Sequence, residues 1–412
     1  MKISLLIIGD EILNGRTIDK NTKWLGQFLE QCGLNLSTVK IIDDNQQSII
    51  NGITSLSKTH DILITSGGIG PTKDDLTKEC LALYLNETLV DSEEAAIIAK
   101  TNYLRINKEW NKSINNYSFI PASVIPINNP TGLAPGLVYQ NNINTILCAP
   151  GVPSEFSTMI ETEFSSYILE HEKYVSKNIS KITFRTYKIP EEVIFSTIPN
   201  LWEDLSSFGK VSSLPHIAGV DVILTLENND SDQILEQIKS FEAVQKLLEH
   251  TWQIGNKTLP EYVVLQAIKK KITFSIAESC TGGLISSRIT DVPNSSKVFL
   301  GSTINYSNKS KEDLIGVSPE TITNFGAVSE ETAQEMANGV LNKFNSDLSI
   351  STTGIAGPSG GSLEKPVGTL AIGSCTQKET KSFLINTAGN RVRLKEKFSE
   401  YALFQLLDLI NE

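Results

Sequence analysis

The chain has 412 residues, 40% of them hydrophobic and 20% charged, and a formal net charge of −11. That length predicts two or three domains rather than one, and the acidic balance, with no block of Lys or Arg, argues against direct contact with nucleic acid. Five scattered cysteines, none in a CxxC pair, and four solitary histidines argue against a disulfide framework and a zinc site.

In chain order, ISLLIIG (3–9) reads as a strand buried on both faces, the kind found in parallel sheets. It is too short to span a membrane and lacks the features of a signal peptide, so no membrane partner and a cytoplasmic address are expected. A helical pattern through Asn21, Trp24, Leu25 and Phe28 stops at Gly33; a strand-like STVKII, a helix around 46–58 and the strand DILITS (61–66) follow. This alternation predicts an α/β domain with a largely parallel sheet. NTILCAPGVPSEF (144–156) repeats strand, Gly/Pro turn and helix. From about 170 to 255 the pattern changes to alternating strands, KITFRTYKI and GVDVILTLEN, and one amphipathic helix, QILEQIKSFEAVQKLLE, which suggests a small α+β unit. From 256 the α/β rhythm returns: helix 258–271, strand 272–277, helix 282–290, VFLGSTINY, helix 330–343, DLSIST, VGTLAIGS, KSFLIN and a closing helix from about 391. The expected domains are 1–168, 169–255 and 256–412.

Two stretches carry chemistry. In TSGGIGPTKDDLTKE (65–79), Gly67, Gly68 and Gly70 follow a buried strand and leave the backbone open to a phosphate. Asp74 and Asp75 come next, either as helix caps or as ligands. Asp10 follows the first strand and Asp43–Asp44 ends another, so all sit at the carboxyl ends of strands, where open α/β sheets bind ligands. Carboxylates beside a glycine cradle suggest a divalent cation shared with a pyrophosphate.

The second stretch is ITFSIAESCTGGLISSRI (272–289), where a buried strand runs into Ser279, Cys280, Thr281, Gly282 and Gly283 before a helix. The helix start offers N–H groups to an anion, and three roles are open to the hydroxyl or thiol: nucleophile, ligand contact or N-cap. No His lies beyond residue 250, so a His would have to come from another domain, whereas a buried Lys or a Tyr nearby would serve as proton acceptor. TINYSNKSK (303–311) supplies Tyr306, Lys309 and Lys311, which otherwise read as a solvated turn. DLSISTTGIAGPSGG (347–361) adds a glycine loop able to hold an oxyanion or a phosphate. Together these are the parts of an acyl-transfer site.

GDEILNG, SGGIGPTKDDLT, NPTGLAPG (129–136) and APGVPSEF (149–156) resemble the molybdopterin-binding-like domain of the competence/damage-inducible CinA family. AESCTGG, NYSNKSK, LIGV (314–317), GAVSEETA (326–333) and STTGIAGPSGG…KPVGT (351–369) resemble that family's C-terminal domain, and the match spans nearly the whole chain. The resemblance implies an N-terminal molybdopterin-binding-like α/β domain, a small α+β middle domain and a C-terminal α/β deamidase domain. For the C-terminal domain it implies hydrolysis of the carboxamide of nicotinamide mononucleotide, needing no cofactor. Ser279 matches the family nucleophile, Tyr306 the catalytic tyrosine and Lys311 the general base. Thr353 and Gly354 match the loop that lines the substrate, Arg391 or Arg393 matches an arginine near it, and Cys280, Thr281, Gly282 and Gly283 on the serine turn are expected to contact the substrate with them. For the N-terminal domain it implies a nucleotide or pterin-like ligand over the turn of Gly67, Gly68 and Gly70, with Asp44 and Asp75 as functional carboxylates on a divalent metal and ADP-ribose, cleaved by some family members, as the expected substrate; Asp10, at the end of the first strand, completes the expected ligand site. It also implies a homodimer. The family name leaves two other roles open, a nucleotide- or pterin-binding regulator and an accessory factor in DNA uptake or repair.

Overall fold

The computed structural model describes residues 1–412, which fall into two compact units: Met1–Ser180 with Leu226–Asp230, and Lys181–Thr225 with Ser231–Glu412. In the first unit, strands β1 (Ile3–Ile8), β2 (Leu36–Ile42) and β3 (Ile62–Ser66) are followed by a small antiparallel pair, β4 (Leu89–Asp91) and β5 (Phe119–Pro121). Strands β6 (Ile125–Ile127), β7 (Gly136–Gln140) and β8 (Thr145–Ala149) complete the main sheet, whose order is β2-β1-β3-β8-β7-β6. Its first four strands are parallel, and β7 and β6 add on antiparallel.

Every residue of β1, β3 and β8 is buried because helices cover both faces. Leu6, Ile8 and Leu63 pack toward helix Gln46–Ser57, whereas Ile3, Leu5, Ile7 and Ile64 pack toward helices Asn21–Gln31 and Pro153–Met159. Successive side chains of a strand point to opposite faces, so a continuous apolar run feeds two cores at once.

The second unit holds two sheets. Strands β9 (Ile179–Thr186), β10 (Lys210–Pro215), β11 (Val220–Glu227) and β12 (Thr251–Ile254) form one in the order β10-β11-β9-β12. The single helix expected over 233–249 is two, Ser231–Ile238 and Glu242–Leu248. Phe241 takes extended backbone between them, which lets Ile238 and Val244 both face the core. This sheet is not a free-standing spacer. Tyr187 stacks on Phe404 at 3.6 Å between ring centroids, and Ala218 belongs to the same apolar cluster as Phe274, Phe398 and Leu403.

The other sheet contains β13 (Phe274–Glu278), β14 (Phe299–Ile304), β15 (Leu348–Gly354), β16 (Thr369–Thr376) and β17 (Thr380–Asn386), ordered β14-β13-β15-β16-β17. Strand β13 is parallel to β14 on one side and to β15 on the other, and β16 and β17 are antiparallel. The chain leaves β13 and returns on both of its flanks, so the carboxyl end of β13 is a switch point of the kind that opens a crevice in α/β sheets. Ser279 is the first residue beyond that strand. No helix of the chain is long and apolar enough to cross a membrane.

Candidate active site

Beyond β14 the segment read as a turn is a helix, Asn308–Ile315, and Ser307 caps it by accepting from the Ser310 N–H. That helix decides between the two lysines. Two residues along a helix turn the side chain by roughly 200°, so Lys309 points outward to Asp313 at 2.7 Å while Lys311 points inward and is 2% exposed. Lys311 Nζ lies 3.1 Å from Ser279 Oγ and 3.0 Å from the Asn305 carbonyl oxygen. Asn305 is itself held, by its own N–H to the Glu278 carbonyl and by its side-chain amide to the Ser310 carbonyl.

Burial pulls the Lys311 ammonium below its ordinary range. Lys311 Nζ donates to the Ser279 hydroxyl and to the Asn305 carbonyl, and in its neutral form its lone pair is within reach of the Ser279 proton.

Ser279, Cys280, Tyr306, Asn308, Lys311, Thr353, Gly354 and Arg391 line one cavity of about 270 Å³. Cys280 is not a competing nucleophile: burial pushes its thiol up to about 12. Its sulfur lies under Gly354, where a Cβ would stand 3.2 Å from it. Thr353 faces the cavity with its hydroxyl donated to the Ala327 carbonyl at 2.6 Å. Arg391 bridges the cavity mouth, donating to the Gly357 carbonyl at 2.7 Å and to the Tyr306 hydroxyl at 3.1 Å.

Several expected residues have other partners or other places. Tyr306 is 63% exposed and its hydroxyl meets Arg391 rather than Ser279 or Lys311. Arg393 does not line the cavity; its N–H is capped by Asn390, which begins the last helix. Thr281 is fully buried against the Thr352 hydroxyl, and Gly282 and Gly283 shape the turn with φ of 60° and 93° without lining the cavity. The helix start after the turn is not open to an anion. Glu278, fully buried at the end of β13, accepts from the N–H groups of Gly283, Ile285 and Ser286 and from the Ser286 hydroxyl. Sequence reading did not single out Glu278, whose partners are backbone N–H groups that no residue type marks.

In the first unit a cleft of about 720 Å³ opens at the carboxyl ends of β1, β3 and β8. Gly67, Gly68, Gly70, Asp44 and Asp75 line it, together with Glu11, Asp74, Tyr117 and Glu155. Gly67 has φ 107°, and a Cβ there would stand 2.4 Å from the Ile8 carbonyl, so this turn admits only glycine. Asp10 does not line the cleft; its N–H donates to Asp44 Oδ2 at 2.9 Å and Glu11 faces inward in its place. Asp74 and Asp75 precede the helix Thr77–Leu85 rather than beginning it. Asp75 instead accepts from the Thr72 N–H and hydroxyl, which closes the glycine turn. Lys78, which sequence reading did not single out, is buried and holds Asn116 by both its oxygens, fixing the segment that carries Tyr117.

Burial raises the Asp44 carboxyl above its ordinary range, and the charges of Asp10, Glu11 and Asp74 push the same way against the Asp10 N–H. Five carboxylates line this cleft without a Lys or Arg among them, which suits a hard cation. Three ligating side chains do not converge, so the donor set fits a cation held by one or two carboxylates with the remaining oxygens from ligand phosphates and water.

Comparison with known proteins matches both units. Residues 4–170 match the family described as probable molybdopterin binding domain and residues 256–410 the CinA C-terminal domain. A relative from Alkaliphilus metalliredigens that carries the competence-damage inducible name is 35% identical over 98% of each chain. The CinA-like protein of Fervidobacterium nodosum is 35% identical over 96% of this chain and 95% of its own. Among solved structures, competence/damage inducible protein CihA from Agrobacterium tumefaciens is 34% identical, covers 38% of this chain and 98% of its own, and has a TM-score of 0.36. With both domain matches in the expected order and full-length relatives at this identity, the chain belongs to the CinA family.

Proposed function

We propose that this protein hydrolyses the carboxamide of nicotinamide mononucleotide, releasing nicotinic acid mononucleotide and ammonia, with Ser279 as the nucleophile. The observation that carries the reading is the 3.1 Å contact between Ser279 Oγ and the buried amine of Lys311. A serine hydroxyl needs a base at hydrogen-bond distance, and a lysine whose proton affinity is lowered by burial provides one without histidine. In the first step the Ser279 proton passes to Lys311 Nζ as Oγ bonds to the carboxamide carbon, and the carbonyl π pair moves onto oxygen. That pair then re-forms the carbonyl, the C–N bond breaks, and the Lys311 proton leaves on the nitrogen as ammonia. Water, giving its proton to Lys311, resolves the ester and restores Ser279. Arg391 at the cavity mouth suits the nucleotide phosphate, because its guanidinium is met there by a carbonyl and a phenol and by no carboxylate.

Ammonia release from nicotinamide mononucleotide by the purified protein tests this, with Ser279→Ala as the blank and chelator present throughout. Release by the wild type alone supports the reading; silence from the wild type removes it.

The first unit supports a second activity, cleavage of ADP-ribose at its pyrophosphate. The observation favouring it is the glycine turn and acidic cleft of about 720 Å³. Asp44 and Asp75 would hold a divalent cation, whose chemistry there is to neutralise phosphate charge. Tyr117 and the 131–134 segment line the same cleft and would contact the nucleoside. Retained ADP-ribose affinity without cleavage would instead make this unit a nucleotide-binding regulator.

A further inference from the structure

The turn that lifts Ser279 out of the sheet contains more backbone donors than it uses. The Ser279 N–H donates to the Thr352 carbonyl, Gly282 to Ser279 and Leu284 to Thr281. Gly283, Ile285 and Ser286 donate to the Glu278 carboxylate at 2.9, 3.2 and 2.9 Å. Between Ser279 and Ser286, only the N–H groups of Cys280 and Thr281 donate to no other residue, the Cys280 N–H lying beside its own sulfur. Cys280 lines the cavity; Thr281 does not. The N–H following a nucleophile is placed where a carbonyl oxygen turns negative.

Glu278 sets this distribution. It is fully buried, it immediately precedes the nucleophile, and the Ser286 hydroxyl adds a fourth donor at 2.5 Å. Its charge answers the start of helix Leu284–Thr290 from inside the protein, so substrate anions are not drawn there. We infer that Glu278 is a positioning residue of the acyl-transfer site: by taking the donors of Gly283, Ile285 and Ser286 it holds the turn in which the Cys280 N–H stays free for the oxyanion. The inference rests on Ser279 being the attacking group, as in the proposed function, but not on the identity of the natural substrate.

The test uses Glu278→Gln, which keeps the shape but sets an NH2 against N–H donors, and the milder Ser286→Ala, which removes one donor and leaves the carboxylate. Two readouts are taken on full-length protein with thermal melts alongside: ammonia release from nicotinamide mononucleotide, and the rate at which a fluorophosphonate adds to Ser279, read by intact mass. The fluorophosphonate develops charge on its P=O oxygen as fluoride leaves, so it needs the same donor and no natural substrate. Expected for Glu278→Gln is a loss of on the order of 10²-fold in turnover and in labelling rate, with KM within about threefold and the midpoint of the pH–rate profile unmoved. Ser286→Ala is expected to lose less than Glu278→Gln in both, which keeps the test open should Glu278→Gln fail to fold. Wild-type silence on the nucleotide, with labelling that still depends on Glu278, would remove the proposed substrate and leave this inference standing. Labelling of a folded Glu278→Gln at the wild-type rate, a shifted pH midpoint, or a loss carried by KM alone would overturn it. So would Ser286→Ala labelling at the wild-type rate when Glu278→Gln cannot be folded.

Discussion

Lys311 Nζ stands 3.1 Å from Ser279 Oγ although 32 residues separate them in the chain. The pair meets because β13 and β14 are parallel neighbours, so both the turn after β13 and the helix after β14 start at the same edge of the sheet. The lysine is buried, and its proton affinity falls for that reason.

The sign of the pH dependence follows. Only the neutral amine can accept the serine proton, and burial moves its formation to lower pH. Catalytic efficiency is expected to rise with pH through a midpoint below the ordinary lysine value of about 10.4. Lys311→Arg stays charged at every accessible pH and is expected to lose about 10²–10⁴-fold. A pH–rate profile of the two proteins checks this, and a wild-type midpoint at or above the ordinary value would contradict it.

Lys311 also carries a stability cost, since its amine is buried with two partners. Lys311→Met fills much the same volume without that polar group. Its melting temperature is expected to equal or exceed the wild type's while activity is lost. A clearly lower melting temperature would show that the lysine contributes to the fold.

Tyr306 and Arg391 form one unit at the mouth of the cavity. Because the Tyr306 hydroxyl meets Arg391 and not the Ser279–Lys311 pair, Tyr306→Phe is expected to raise KM severalfold and leave turnover within about tenfold. Arg391→Ala should raise KM further, and Arg393→Ala, outside the cavity, should not. If Tyr306→Phe instead slowed turnover by about two orders of magnitude or more, the tyrosine would return to the chemical step.

Gly354 and Cys280 constrain each other. A Cβ at residue 354 would stand 2.8 Å from the Thr369 carbonyl and 3.2 Å from the Cys280 sulfur. Gly354→Ala is expected to destabilise by about 1–3 kcal/mol through overpacking, measured by denaturant unfolding. Cys280→Ala leaves the N–H in place and removes a thiol held protonated by burial; it should retain activity within about tenfold. Loss on the scale of Ser279→Ala would make the thiol a participant.

In the first unit, added Mg²⁺ or Mn²⁺ is expected to raise the melting temperature, because a cation relieves the repulsion around Asp44. Asp44→Asn should remove most of that gain, and chelator should leave ammonia release untouched. Scanning calorimetry with and without metal decides it.

The strand–helix alternation, the buried character of β1, β3, β13 and β15, and the two glycine turns were legible from the sequence. Each depends on residues adjacent in the chain: apolar runs where both faces are covered, and glycine where only positive φ or close backbone approach will do. The motifs also marked Ser279, Lys311, Gly67 and Asp75 as chemically loaded, and the resemblance gave each an expected role. The tertiary structure decided what each of them faces. Asp74 and Asp75 differ by one position, yet Asp75 turned back to bind Thr72. Lys309 and Lys311 are both lysines on one short segment, and only the unforeseen helix with its Ser307 cap sent one outward and one under the sheet edge. Glu278 drew no reading from the sequence, because the three backbone N–H groups around it are set there only by the fold. Local propensity is written residue by residue, but burial, proton affinity and the pairing of distant groups exist only once strands take neighbours and water is excluded, because charge and hydrogen-bond energies depend on what surrounds a group rather than on what precedes it in the chain.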